Sequence, residues 1–321
     1  MKKNLIFLLM FVAQNIMADV TVQIDGIENA TVKAKMERTM SAFLTEVNNA
    51  QSSKRALNFG GMGLSTNVQS SVSMLWENSP FECTDEEIME HCIQTGSGYQ
   101  VRNIPLIMRP TDSSFNEDEY QEAVFSFDRN GNMESFYLTL SMNLYMNVIK
   151  SNKSVTDLRR RQLILDYVEH FRTAYNQKDK EFLEAVFSDD ALIITGKVIP
   201  QRVRDNIQLP ARVEYTRQTK RQYMTKLSQI FAANKHIKVT FDEIRVVMHP
   251  TKSEWYGVTL HQGWTSDRYH DDGWLFLLWD FSNEDHPTIH VRTWQPDKIE
   301  GKKLPDEEIF SLDDFLCLEN E

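Results

Sequence analysis

Four residues near the end of the chain carry side chains suited to acid/base work: His261, Asp280, His290 and Arg292. A histidine can move a proton near neutral pH, an aspartate can orient it, and an arginine can stabilise developing oxyanion charge. Tyr175, well upstream, adds a phenol able to donate to a substrate oxygen. The catalytic candidates are therefore His261, Asp280 and Tyr175. The candidate ligand-binding residues are His290, Arg292 and four tryptophans, Trp255, Trp264, Trp279 and Trp294. A plainer arrangement uses the same residues structurally. In it Asp280 and Arg292 pair as a satisfied polar cluster, the histidines cap strand edges, and the tryptophans are core.

The stretch from Trp255 to Gln295 holds these groups, with five of the six tryptophans and four of the eight histidines. It divides into three strand-like runs, Trp255–Trp264, Gly273–Phe281 and Thr288–Gln295, rich in the aromatic and β-branched residues that fit a pleated surface. Asp272-Gly273 is a hairpin signal, so an antiparallel meander is expected. Alternation sorts each strand into two faces. On the last strand it sets Ile289, Val291 and Thr293 against His290, Arg292 and Trp294. In a suitable register His261, Asp280, His290 and Arg292 then meet Trp279 or Trp294 at one wall.

Other constellations are weaker. His261, His290 and His270, with Asp271 and Asp272, are ligand types without the short spacing that zinc sites favour, so no metal is expected. Asp128-x-Asn130-x-Asn132 opens like a calcium loop. However, its sixth position is Met133 and its twelfth Thr139, where glycine and glutamate belong, so a hairpin at Asn130-Gly131 is the better reading. Gly60-Gly61-Met62-Gly63 lacks the flanking strand and helix of a phosphate loop, and the lysine as well. No cofactor is expected. The basic run Arg202, Arg204, Arg212, Arg217, Lys220 and Arg221 can receive an anionic partner or lie in a solvated, irregular loop.

At 321 residues the chain has room for two cores. Lys2-Lys3, the apolar run Leu5–Ala13 and a small residue at Ala18 form a secretory signal peptide pattern, too short to span a bilayer. Residues 1–18 are expected to be removed after Ala18 and the mature chain to reach the periplasm or cell envelope. Loss of two lysines and no acids takes the formal charge from −11 to −13. That balance disfavours nucleic acid and anionic membrane as partners. In an oxidising compartment Cys83 and Cys92 can close a small loop and leave Cys317 free, or all three can stay as thiols.

A short strand over Val20–Ile24 and a helix through Val32, Met36, Met40, Phe43, Leu44 and Val47 open residues 19–152, an α+β domain. A loose stretch follows over residues 58–71. Thr84-x-x-Glu87 has the form of a helix-capping box, so a short helix to Gln94 is expected. Strands follow over Tyr99–Met108, Tyr120–Phe127 and Met133–Leu140. After a polar linker at Lys150–Lys153, a capping box at Ser154 starts a long helix with Ile164, Tyr167, Val168, Phe171, Ala174 and Tyr175 on one stripe. A short helix capped by Asp179, a turn at Ser188-Asp189-Asp190, a strand to Ile199, a helix capped by Thr219 and Gln222, and a strand His236–His249 lead into the meander. An acidic tail, residues 301–321, carries Ile309, Leu312 and Phe315 as a docking turn.

The order of elements in residues 153–300, together with AYNQKDKEFLEAVFSDDALIITGK, resembles the nuclear transport factor 2-like (NTF2-like) superfamily with its SnoaL-like and ketosteroid-isomerase-like branches. The resemblance covers roughly residues 157–297 and implies a curved antiparallel sheet folded around the long helix as a cone. By position Tyr175 is the residue that matches the phenol of the isomerase-like members, and no matching carboxylate is placed. Residues 19–152, which also run helix then strands, can be a degenerate second copy. The function these features imply is an exported, non-catalytic binding or assembly protein. Its cone or sheet face would hold a hydrophobic ligand, a peptide or a second copy paired through the sheet. The alternative is a cofactor-free lyase, isomerase or cyclase for a hydrophobic carbonyl compound.

Overall fold

A computed structural model describes residues 19–109, 119–140, 158–204, 207–209 and 211–316. The signal-peptide pattern, the 150–153 linker, the capping box at Ser154 and Cys317 lie outside the described residues.

The first unit packs two helices on a sheet. Strand β1 (Thr21–Asp25) leads through Asn29, whose side chain caps the next helix, into α1 (Ala30–Ser53), which buries Val32, Met36, Met40, Phe43, Leu44 and Val47. The periodic apolar stripe thus forms the helix the sequence predicts. Helix α2 (Thr66–Asn78), capped by Ser65, overlaps the stretch expected to be a loose loop. Strands β2 (Phe81–Glu82), β3 (Glu87–Gln94), β4 (Gly98–Met108), β5 (Glu119–Asp128) and β6 (Met133–Leu138) complete the sheet, in the order β1-β3-β4-β5-β6 with β2 on β4. The segment after Thr84 is therefore strand β3, contrary to the helix expected from its capping-box form. It lies between β1 and β4, pairs with both, and turns Ile88 and Cys92 inward. Two ready partner edges outweigh a local cap.

The β5–β6 hairpin turns at Asn130-Gly131, with Gly131 at φ +72°. The Asp128 carboxylate accepts from the backbone N–H groups of Asn130 and Asn132, both at 2.8 Å, and from the Asn132 amide at 2.6 Å. These oxygens serve the turn. Cys83 and Cys92 are buried as unpaired thiols, and desolvation pushes each up to about 11.

The second unit begins with α3 (Leu158–Gln177), followed by α4 (Lys180–Val186), capped by Asp179. No turn separates α4 from the next strand: β7 (Phe187–Ile199) starts at once and carries Ser188-Asp189-Asp190 within it. The basic segment expected to be irregular forms strands β8 (Arg202–Arg204), β9 (Ile207–Leu209) and β10 (Arg212–Thr219), of which β10 pairs with β7 from Leu192 to Ile199. Helix α5 (Lys220–Ala233) starts at a full capping box of Thr219 and Gln222. Strands β11 (Ile237–Met248), β12 (Trp255–Ser266), β13 (Tyr269–Asp280) and β14 (Thr288–Pro296) follow, and the sheet order is β10-β7-β14-β13-β12-β11. The β12–β13 turn falls at Asp267-Arg268, so Asp272-Gly273 is mid-strand and not the predicted hairpin. Gly273 is there for space: a Cβ would come within 2.8 Å of the Trp294 ring and 2.3 Å of the Gln295 carbonyl oxygen.

Helix α3 serves both units. One side packs Ile164, Val168, Phe171 and Tyr175 into the concave face of the second sheet. The other faces the exposed edge of β6 and satisfies it with side chains. Arg172 donates to the carbonyls of Leu138 and Thr139 at 2.9 and 2.8 Å, Gln177 donates to that of Phe136 at 2.6 Å, and Glu169 accepts from the Leu140 N–H at 2.9 Å. An open strand edge is an aggregation hazard, and here a helix covers it. Next to it Arg102 on β4 bonds both Asp166, at 3.0 Å, and fully buried Glu169, at 2.7 Å. No described helix is long and apolar enough to cross a membrane.

Candidate functional site

The meander sorts the candidate residues onto opposite sides of one sheet. On β12 and β13 alternation holds. Tyr256, Val258, Leu260, Trp264, Leu275, Leu277 and Trp279 pack inward against α3, while Trp255, Phe276 and Leu278 pack on the outer face. On β14 it breaks. Leu278 pairs with Val291 and Trp279 with Ile289, so His290 is the extra residue of a β-bulge. The bulge keeps Ile289 inward, sends both His290 and Val291 outward, and returns Arg292 and Trp294 to the interior. The predicted grouping of His290 with Arg292 and Trp294 fails for that reason.

The expected convergence of His261, Asp280, His290 and Arg292 therefore does not occur. His261 lies outside, 3.9 Å from Asp297 and edge-on to Trp274. Asp280 accepts from the Ser282 N–H and hydroxyl at 2.8 and 2.6 Å and stands 3.7 Å from His290. His290 stacks on Trp255 at 4.3 Å and reaches Asp190 at 3.7 Å. Nor do Asp280 and Arg292 pair, since the sheet lies between them. Of the three catalytic candidates only Tyr175 faces the interior. Among the described residues no three His, Cys, Asp or Glu side chains are grouped to hold a metal ion, and His270 is occupied by Thr265 and Asp272.

Inside the cone a different cluster forms. The Tyr175 and Tyr223 hydroxyls share a hydrogen bond of 2.7 Å, and Trp264 meets Tyr175 edge-on at 5.9 Å. Arg292 lies with its guanidinium 4.9 Å over the Tyr223 ring, beside the Tyr175 phenol. It is only 6% exposed and has no carboxylate partner among the described residues. An arginine keeps its charge in a protein, so this is a buried cation that no described carboxylate compensates. Burial, with Tyr223 beside it, pushes the Tyr175 phenol well above its usual range, so it remains a donor. Arg292 Nε, Trp294 Nε1 and Trp279 Nε1 are buried without a hydrogen-bond partner. Native proteins leave few such donors unpaired. Tyr223 comes from α5, and its hydroxyl finds a role only once the fold sets it beside Tyr175.

The outer face is not open. Leu312 and Phe315, in a short 3-10 turn, cover Phe276, Leu278, Ile194 and Val291. Gln295 fastens this segment by donating to the Glu308 carbonyl and accepting from the Phe310 N–H, both at 2.8 Å.

Two antecedent helices, a first strand paired parallel to the last, and a six-stranded sheet curved around α3 decide the architecture. The C-terminal unit has the NTF2-like fold. The chain is similar to the solved structure of Bd1075 from Bdellovibrio bacteriovorus, with 18% identity and a TM-score of 0.33 over 44% of this chain and 41% of that one. It is similar to an NTF2-like protein from Cytophaga hutchinsonii, with 15% identity and a TM-score of 0.31 over 42% and 97%. A third is naphthalene 1,2-dioxygenase with indole bound in the active site, with 9% identity and a TM-score of 0.37 over 51% and 93%. This chain thus spans under half the length of Bd1075. No protein-family model matches the sequence, and no curated protein does.

Proposed function

We propose that this is an exported, non-catalytic binding protein whose NTF2-like cone holds a hydrophobic ligand by an anionic or carbonyl oxygen. The observation that carries the reading is Arg292, a buried cation with no carboxylate partner among the described residues, set beside the Tyr175 and Tyr223 hydroxyls and the buried Trp294 N–H, which has none there either. The guanidinium and the Trp294 indole donate, one of the two phenols keeps a proton to donate once the other is spent between them, and the aromatic side chains around them suit an apolar body. Proton abstraction in the cone would need a base. Among the described residues the groups gathered around Arg292 are the phenols of Tyr175 and Tyr223, and no carboxylate or imidazole stands with them. This disfavours the lyase, isomerase or cyclase alternative, whose His261 and Asp280 stand on the other side of the sheet.

The test separates binding from support. A residue kept for stability destabilises when removed, whereas an uncompensated buried charge costs the fold its desolvation, so replacing it by an apolar side chain of similar length is expected to be neutral or stabilising. Arg292→Met is expected to raise the unfolding midpoint and to abolish calorimetric binding of naphthalene carboxylate, used as a probe. A destabilised variant, or a wild type that prefers naphthol to the carboxylate, defeats the reading. Export rests on Lys2-Lys3 and the Leu5–Ala13 run. Protein recovered from the cell envelope is expected to begin at Asp19 by intact mass, and an unprocessed chain there argues against it.

A further inference from the structure

A second site lies away from the cone. A cleft of about 580 Å3 separates the outer face of the first sheet from α3, α4 and the 284–288 loop, a volume in the range of small-molecule sites. Its floor is a built polar network. Gln100 and Arg102 donate to Asp166 Oδ1 at 2.9 and 3.0 Å, and the Tyr137 hydroxyl donates to the same oxygen. With three donors on Oδ1, Asp166 Oδ2 has no described protein partner, and the side chain is 22% exposed.

One wall is an aromatic stack. The His170 ring lies between Tyr137, at 4.7 Å and 5°, and Phe182, at 3.8 Å and 23°. Both ring faces are covered, so what it presents to the cleft is its edge. Desolvation pushes the imidazole down to about 3, which leaves it neutral, and neither ring nitrogen has a described hydrogen-bond partner. Glu134 on β6 also lines the cleft, with its carboxyl raised by desolvation and by Asp128.

The balance of charge is negative. Glu134, Asp166, Glu284 and Asp285 line the cleft against Arg102 and Arg159. Arg102 is shared with Glu169, and Arg159 is held by Glu284 at 2.8 Å. An anion entering here meets this excess. A cation meets a spare carboxylate oxygen and a neutral imidazole acceptor.

We propose that the cleft between the two units binds an organic cation, an ammonium or guanidinium on an apolar or aromatic body. The charged head is set at Asp166 Oδ2 in the field of Glu134, and the body lies against the Tyr137–His170–Phe182 wall. This site is independent of the cone, and its ligand has the opposite charge.

The experiment is calorimetric titration of the full chain with tyramine, agmatine and choline, with tyrosol and hydroxyphenylacetate as neutral and anionic counterparts of tyramine. At least one cation is expected to bind, and tyramine at least about tenfold more tightly than tyrosol, since a charge-assisted hydrogen bond is stronger than a neutral one by about that factor or more. Asp166→Asn is expected to lose about tenfold or more on the same ground. Because Asp166 also ties the units together, Glu134→Gln and His170→Phe, which leave the floor intact, carry the conclusion. Each is expected to weaken binding several-fold, while Arg292→Met leaves it unchanged. Three silent cations, equal binding of tyrosol and tyramine, or full affinity in both Glu134→Gln and His170→Phe would overturn the proposal.

Discussion

Arg102→Met is expected to lower the unfolding free energy by about 3–5 kcal/mol, the cost of leaving buried charge without its partner. Arg102 faces two carboxylates from the other unit, Asp166 and the wholly buried Glu169. Desolvation raises both carboxyls, and Arg102 is the foremost group opposing it in each case. The pH dependence follows with a definite sign. A carboxyl whose native value is raised binds its proton more tightly when folded. Its contribution is complete below the unfolded value and is lost as pH rises through the native one. Wild-type stability should therefore carry a component that grows on mild acidification. The Arg102→Met penalty should be largest at neutral pH and shrink as pH falls through the raised values, because a neutral carboxyl no longer needs the guanidinium. Denaturant midpoints across a pH series measure both. A penalty independent of pH would mean that Arg102 acts by packing alone.

Trp279→Ala is expected to cost about 3–5 kcal/mol, as large-to-small changes of buried aromatics do. Trp279 is fully buried, with its ring 6.0 Å from Tyr167, 6.2 Å from Phe171 and 5.6 Å from Phe281. Trp279→Phe should cost far less than its lost volume suggests. It removes an indole N–H that has no partner, a group whose burial costs about 1–3 kcal/mol. The pair of variants distinguishes core from ligand contact. If Trp279→Ala unfolds at nearly the wild-type midpoint but no longer binds the naphthalene carboxylate, Trp279 belongs to the ligand site, as the sequence expectation has it.

The elements that local chemistry specifies are legible without a structure. The stripe on α1, the Asp179 cap, the Thr219–Gln222 capping box and the Asn130-Gly131 turn each depend on residues a few positions apart. Two signals of the same kind mislead. Thr84 and Glu87 have capping form but fall where two strands offer partners, and Asp272-Gly273 has turn form but lies where Trp294 needs room. A local motif states a preference of about 1 kcal/mol, which a full ladder of pairing outweighs.

What the sequence by itself determined is the aromatic meander, the helix at its centre and the NTF2-like order of the second unit. The types of chemistry available were also plain, as was the sorting of β12 into two faces, because side-chain direction follows strictly from alternation; which face turns inward was not. Only the tertiary structure decided which candidates share a site. One bulged residue, His290, inverts the phase of β14 and sends Arg292 to the interior while His261 and Asp280 remain outside. A bulge is a relation between two strands, so it has no signature in either one. The same holds for the cleft between the units. Arg102, Tyr137, Asp166 and His170 come from a strand, a second strand and two turns of a helix, and they meet because α3 lies across the edge of β6.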